Sequence, residues 1–358
     1  MEKAVKKVII YFLGAFILSM TMGGCAAKKE VDQKFIVPAP PEEPRLFHVA
    51  TYHGESDFKQ ENALDLFIGD GGTFTARNMV KPYGVAANKG KIYATDTAQG
   101  IVFVFDTELK KVSFLGATPP GKLALPVGIA FDGQGNTYVS DAKLKKVYVY
   151  DVNGTMNKVI GTHDEFYRPT GIAINRDLGL LYVVDTLQHD IKVFTLEGKQ
   201  VSTIGKRGID EATFNYPTNI SLDRRNGNII VGDTQNFRIQ ILNKDGKFLK
   251  TFGKVGDKPG MFARPKGVAV DSEGHIYAAD AAFQNIQIFD DKGELLLYFG
   301  GSGMDTGRFG LPSMMYCDEE DRLYVSEGFN ARVQVFQYIS EKWKKEHADE
   351  YKKLLENK

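Results

Sequence analysis

A proline recurs through this chain at Pro82, Pro126, Pro169, Pro217, Pro265 and Pro312, at intervals of 43 to 48 residues. Four copies continue with glycine, a β-branched residue and alanine: Gly84-Val85-Ala86, Gly128-Ile129-Ala130, Gly171-Ile172-Ala173 and Gly267-Val268-Ala269. Thr218-Asn219-Ile220-Ser221 and Ser313-Met314-Met315-Tyr316 are looser copies. The clearest unit, 265–300, holds four short runs of strand formers. They are separated by Asp271-Ser272-Glu273-Gly274, by the stretch after Asp280, and by Asp290-Asp291-Lys292-Gly293. Such a pattern predicts an antiparallel meander. One four-stranded meander cannot bury both of its faces, but copies stacked side by side can. A period in the forties with four strands per unit predicts an all-β, six-bladed β-propeller of four-stranded antiparallel blades.

Each second strand also ends on an acid: Asp96, Asp141, Asp185, Asp233, Asp280 and Glu327. The strand-opening Pro-x-Gly-[Val/Ile]-Ala, the [Ile/Val]-Tyr-[Val/Ala]-x-Asp second strand, the Val-x-[Val/Ile]-Phe third strand and the closing [Phe/Ile]-Gly together resemble the NHL repeat. The resemblance runs from about residue 45 to 338 and implies the same six-bladed ring. Blades four and six carry the family's Asn-x-Arg after the acid, as Asn236-Arg238 and Asn330-Arg332. The other four blades depart from it.

The N-terminus reads as an export signal over 1–24, with Lys3, Lys6 and Lys7 before the apolar run Val8–Met20. That run is short for a membrane-spanning helix. Met22-Gly23-Gly24-Cys25 resembles the lipobox of bacterial lipoproteins, with Met22 in place of the usual leucine. The resemblance implies that Cys25 becomes the lipidated first residue, anchored in the cell envelope. Ala26 after it resembles signals for outer-membrane sorting. Residues 25–45 form a proline-rich linker expected to hold the propeller off the membrane rather than join its core. With Cys25 lipidated, Cys317 is left without a disulfide partner and reads as a buried thiol.

The last repeat supplies only three strands. Residues 46–53 read as an isolated strand, and the simplest closure makes it the fourth strand of the sixth blade. The propeller then spans 46–338, and 339–358 reads as an amphipathic helix with Trp343, His347, Tyr351 and Leu355 in a stripe. That stripe either packs on the propeller or docks a partner. Residues 54–80 form the longest insertion.

In a meander ring, the turns after strands one and three share one end, and these turns are tight. The opposite end carries the blade-joining loops, three of which share Gly-x-x-Gly-x5-Phe-x-x-Pro: Gly205–Pro217, Gly253–Pro265 and Gly300–Pro312. The six acids lie at this end and read as structural, since a strand-end acid accepts N–H bonds from the following loop. Arg168, Arg207, Arg264, Arg308, Arg238 and Arg332 lie here too and are the binding-face candidates. Within this set, Arg238 and Arg332 are expected to tie loops to their acids, leaving the other four for a partner. Phe214, Phe262 and Phe309 read as plugs between blades.

No hydrolase elbow, zinc-helix, Cys-x-x-Cys or EF-hand motif occurs, and the histidines fall at no metal-ligand spacing. The net charge is zero, which gives no basis for a nucleic-acid partner. The expectation is a lipid-anchored, non-catalytic binding or scaffold module without cofactor or metal, holding an envelope protein or a glycan. The alternative is a propeller hydrolase or lyase, lactonase-like or metal-dependent lyase-like, using a metal in the channel.

Overall fold

A computed structural model describes residues 35–58, 76–161 and 164–356. The export signal, Cys25 and most of the 54–80 insertion lie outside the described residues. Two N-terminal strands come first, β1 (Ile36–Val37) and β2 (Leu46–Tyr52). Five four-stranded antiparallel blades follow, opening at Pro82, Pro126, Pro169, Asn219 and Pro265; a sixth opens at Pro312. The innermost strand of each blade packs on that of the next, and the sixth packs back on the first. The expected ring of six blades is what forms.

Repeating local chemistry sets this geometry. In five blades the opening proline lies opposite the blade acid in the ladder, as in Pro82↔Asp96 and Pro265↔Asp280. Proline there costs no interior ladder bond, because it opens its strand. The following glycine lets the next blade approach. A Cβ on Gly84 would stand 2.1 Å from the Val127 carbonyl oxygen, and one on Gly128 2.3 Å from that of Thr170. Hydroxyls beside the acids then join blade to blade. Thr95 Oγ1 donates to the Val127 carbonyl at 3.0 Å, Thr186 to that of Pro217 at 2.7 Å and Thr234 to that of Pro265 at 2.8 Å. Ser140 reaches Thr170 in the same way, and Ser326 closes the circle on Tyr83.

The inner three strands of each blade are sandwiched between neighbours and are buried almost continuously, as in Ile101–Asp106 and Lys146–Tyr150. The outermost strands alternate, as in Phe248–Phe252 and Leu295–Gly300, because only one side meets another blade. Phe214, Phe262 and Phe309 are fully buried. Each fills the space over Gly205, Gly253 or Gly300, where a Cβ would come within 2.4–2.6 Å of the ring.

β2 pairs antiparallel with Arg332–Tyr338 and supplies the missing fourth strand of blade six. The preceding segment differs from the stand-off linker expected over 25–45. Its last part folds back, and β1 pairs with β2 as a fifth strand. The cause is the apolar run Phe35-Ile36-Val37: Val37 is buried in the blade-five and blade-six core, and the Phe35 ring meets Phe336 edge-on at 6.2 Å.

The tail forms two short helices where one was expected, α1 (Glu341–Glu346) and α2 (Ala348–Glu356). Ser340 caps α1 by accepting the Trp343 N–H. The chain bends at His347, so Leu354 rather than Leu355 becomes the buried residue of the second turn. Trp343 and Leu354 pack on Phe47, Ile339 and Ile36, and the Trp343 and Phe47 rings are 5.4 Å apart. The apolar stripe therefore covers the closure strands of the propeller itself. Cys317 is buried on the inner strand of blade six, where burial pushes its thiol well above the usual range.

Candidate functional site

The channel has two ends with different chemistry. At the joining-loop end all six blade acids are fully buried. Asp96 accepts N–H bonds from Val80 and Lys81 before the proline, and from Ala98 and Gln99 after its own strand, at 2.6–3.0 Å. Asp141 and Asp280 repeat all four contacts. Asp185 holds Tyr167 and Arg168 on one side and Gln188 on the other.

Blades four and six replace much of this backbone set with side chains. Asp233 receives Arg238 Nε at 2.8 Å, Asn236 Nδ2 at 2.8 Å and Gln240 Nε2 at 3.1 Å. Glu327 receives Arg332 Nε at 2.8 Å, Asn330 Nδ2 at 2.7 Å and Gln334 Nε2 at 2.6 Å. The same arginines reach onward to the joining loops: Arg238 Nη2 donates to the Asp210 and Thr213 carbonyls, Arg332 Nη2 to those of Asp305 and Arg308. Arg238 and Arg332 are thus held on both sides by the scaffold.

The other four arginines are exposed. Arg308 lies along its own loop and donates to the Gly300 carbonyl at 3.1 Å. Arg207 is on the joining loop near His189, whose imidazole is pushed down by burial first and by the Arg207 charge second. Arg168 and Arg264 stand immediately before their blade prolines, at the channel mouth.

The tight-turn end, expected to offer little to grip, holds the cavities. One of about 340 Å³ enters the channel between the inner strands. Its wall is mixed: Ile129, Phe131, Ile172, Ile220, Val270 and Met315 supply the apolar part, and Asn175, Arg176, Asp177, Asp223, Arg224 and Glu319 the polar part. A second, of about 450 Å³, lies beside it over blades six, one and two. Arg176, Tyr316 and Glu319 belong to both. None of the six candidate arginines lines either cavity.

Arg176 on blade three crosses to blade six, where Nη1 meets Glu319 Oε1 at 2.8 Å. Arg224 on blade four donates to the Cys317 and Asp318 carbonyls at 3.1 and 2.7 Å. The two guanidiniums bar the rim. Burial pushes the Tyr316 hydroxyl up to about 12, against the opposing pull of Arg224 and Arg176. Deeper in, Asn219 takes the place that glycine holds in four other blades. Its Oδ1 accepts the Ile220 N–H, while its Nδ2 is buried without a hydrogen-bond partner among the described residues. A buried amide donor without an acceptor is an unmet demand, and Asn219 is among the residues that line the first cavity. Sequence reading passed over Arg176 and Arg224, and took Asn219 only as part of a looser copy of the blade opening. The one signal was the loss of glycine at 219. Among the described residues, no group of three or more His, Cys, Asp and Glu is placed to hold a metal ion.

Residues 214–242 and 262–289 match the NHL repeat model, so the chain carries NHL repeats. A stretch of 97 residues is 36% identical to the human NHL repeat-containing protein 2, covering 23% of this chain and 13% of that protein. The match therefore spans a small part of that relative's length. Among solved structures, a gluconolactonase from Xanthomonas campestris superposes with a TM-score of 0.58 at 17% identity, over 81% of this chain and 98% of that one. A virginiamycin B lyase from Staphylococcus aureus superposes with a TM-score of 0.53 at 15% identity, over 72% and 95%. At these identities the likeness is one of fold.

Proposed function

We propose that this NHL-repeat propeller is a lipid-anchored, non-catalytic binding module of the cell envelope, taking part of a protein or glycan into the funnel at its tight-turn end. The observation that carries the reading is the cavity of about 340 Å³ with a mixed apolar and polar lining, a rim of Arg176 and Arg224, and Asn219, with its unpaired amide, among the lining residues. A concave apolar site with a few convergent polar groups is the usual form of a ligand pocket.

The test is capture by the immobilised chain from a solubilised envelope extract and on a glycan array. The ligand should be retained by the wild type, lost in Arg176→Glu/Arg224→Glu, and kept in Arg207→Glu/Arg308→Glu. The reverse pattern would put the ligand on the joining-loop end. The same purified chain, analysed for elements, decides the alternative: one zinc or calcium per chain would favour the hydrolase or lyase reading.

Anchoring rests on Lys3, Lys6 and Lys7, the apolar run and Gly23-Gly24-Cys25. Cys25→Ser should leave the membrane fraction or fail to mature. Mass spectrometry that finds lipid still attached to the Cys25→Ser chain would remove the anchor from this proposal.

A further inference from the structure

The residue before each blade opening follows a pattern around the ring. In order it is Lys81, Leu125, Arg168, Tyr216, Arg264 and Leu311. Basic residues stand on blades one, three and five, and apolar residues on blades two, four and six. The backbone places the three basic residues equivalently. The blade acid accepts the N–H of Lys81 at 3.0 Å, of Arg168 at 2.9 Å and of Arg264 at 3.0 Å. The ladder register is also the same, with Pro82, Pro169 and Pro265 opposite Asp96, Asp185 and Asp280. Three basic residues therefore stand at equivalent backbone positions on alternate blades.

A fourth joins them. Lys266, half-buried on blade five, carries its ammonium past blade six to the Tyr83 ring of blade one, 5.3 Å from the ring centre. Beside it Tyr83 and Leu125 pack on the buried Val127 and Met314 in one apolar cluster. Burial holds the Lys266 pKa down, and after burial the charges of Arg264, Lys81 and Arg168 lower it further. All three alternate-blade cations are thus felt at one point. The nearby acids offer no relief, because Asp96, Asp185 and Asp280 face inward and are saturated by backbone N–H groups. Among the described residues, none of these four side chains has an ion-pair partner.

Like charges gathered without a counter-charge disfavour the empty protein, and a bound anion removes that cost. Guanidinium groups suit the oxygens of a phosphoryl group through paired hydrogen bonds, and an ammonium adds a point charge. We propose that Lys81, Arg168, Arg264 and Lys266 form a binding site for a compact phosphoryl anion, seated beside the Tyr83 ring at the joining-loop mouth of the channel. The anion meets the channel from the end opposite the funnel, so the two sites are separate.

The experiment is calorimetric titration of the full chain, purified in detergent at low ionic strength, with inorganic pyrophosphate. Saturable binding at one site per chain is expected, weakening as sodium chloride is added. Arg168→Gln, Arg264→Gln and Lys266→Met should each weaken it at least about tenfold, the equivalent of one charge-assisted hydrogen bond. Their melting temperatures without ligand should match or exceed the wild type, since each removes a like charge. Arg207→Gln and Arg308→Gln, on the same end but outside the mouth, should bind as the wild type does. Arg176→Glu/Arg224→Glu should also bind normally, which keeps this result independent of the funnel. No saturable binding, or equal weakening by Arg207→Gln, would overturn the site.

Discussion

A chain that begins at Gly54 should melt at least about 8 °C below one that begins at Phe35. The shorter chain lacks β1 and β2, and with them Leu46, Phe47 and Val37, which are 0%, 4% and 6% exposed. Each such side chain is worth about 1.5–3 kcal/mol of burial. Trp343 and Ile339 lose the surface on which they pack. The third strand of blade six, Arg332–Tyr338, which carries Phe336, becomes an unpaired edge. Together these losses exceed about 5 kcal/mol, against a typical stability of about 5–15 kcal/mol. For a domain of this size each kcal/mol moves the midpoint by about 1.5–2 °C. Differential scanning calorimetry of the two chains decides the matter. Equal midpoints would mean that the ring does not depend on its N-terminal strands for closure.

The ring was readable in the sequence because each of its parts has a local signal. Proline opens a strand, glycine admits the neighbouring blade, and an acid ends the second strand. The missing fourth strand of blade six was readable as a deficit, with Leu46–Tyr52 as the one unassigned strand to fill it. What escaped was chemistry that depends on neighbours in space. Thr95, Ser140 and Ser326 look like ordinary strand residues until the next blade's carbonyl lies against them. Gln240 and Gln334, which complete the acid sites of blades four and six, follow the family motif by two residues and were not singled out. Phe35-Ile36-Val37 was hidden by the prolines after it, because composition argued for a linker while three apolar side chains argued for packing. The funnel was missed for a geometric reason. Tight turns suggest a flat end, but the inner strands of facing blades leave a hollow between them. Arg176 and Arg224 border that hollow through turns whose sequences look merely polar.

Arg332→Ala should cost about 3–5 kcal/mol, the usual loss when one partner of a buried ion pair is removed. The Arg332 side chain is 8% exposed and that of Glu327 is 0%. Removing the guanidinium strands a buried carboxylate. It also frees the carbonyls of Met304, Asp305 and Arg308, to which Nη1 and Nη2 donate. Asn330, Gln334 and the Gly310 N–H still reach Glu327, so the acid keeps part of its solvation. Changing Glu327→Gln in the same chain removes the stranded charge, so the double variant should be more stable than Arg332→Ala alone. The parallel change Arg238→Ala should cost less, since Arg238 is 13% exposed and water can reach the vacated site. Urea unfolding of the four chains in the Arg332–Glu327 cycle gives the coupling directly. Strictly additive effects would mean that the pair does not act as a unit. The arginine would then matter only as a tether for the loop from Gly300 to Pro312, and the acid only for the backbone and amide groups around it.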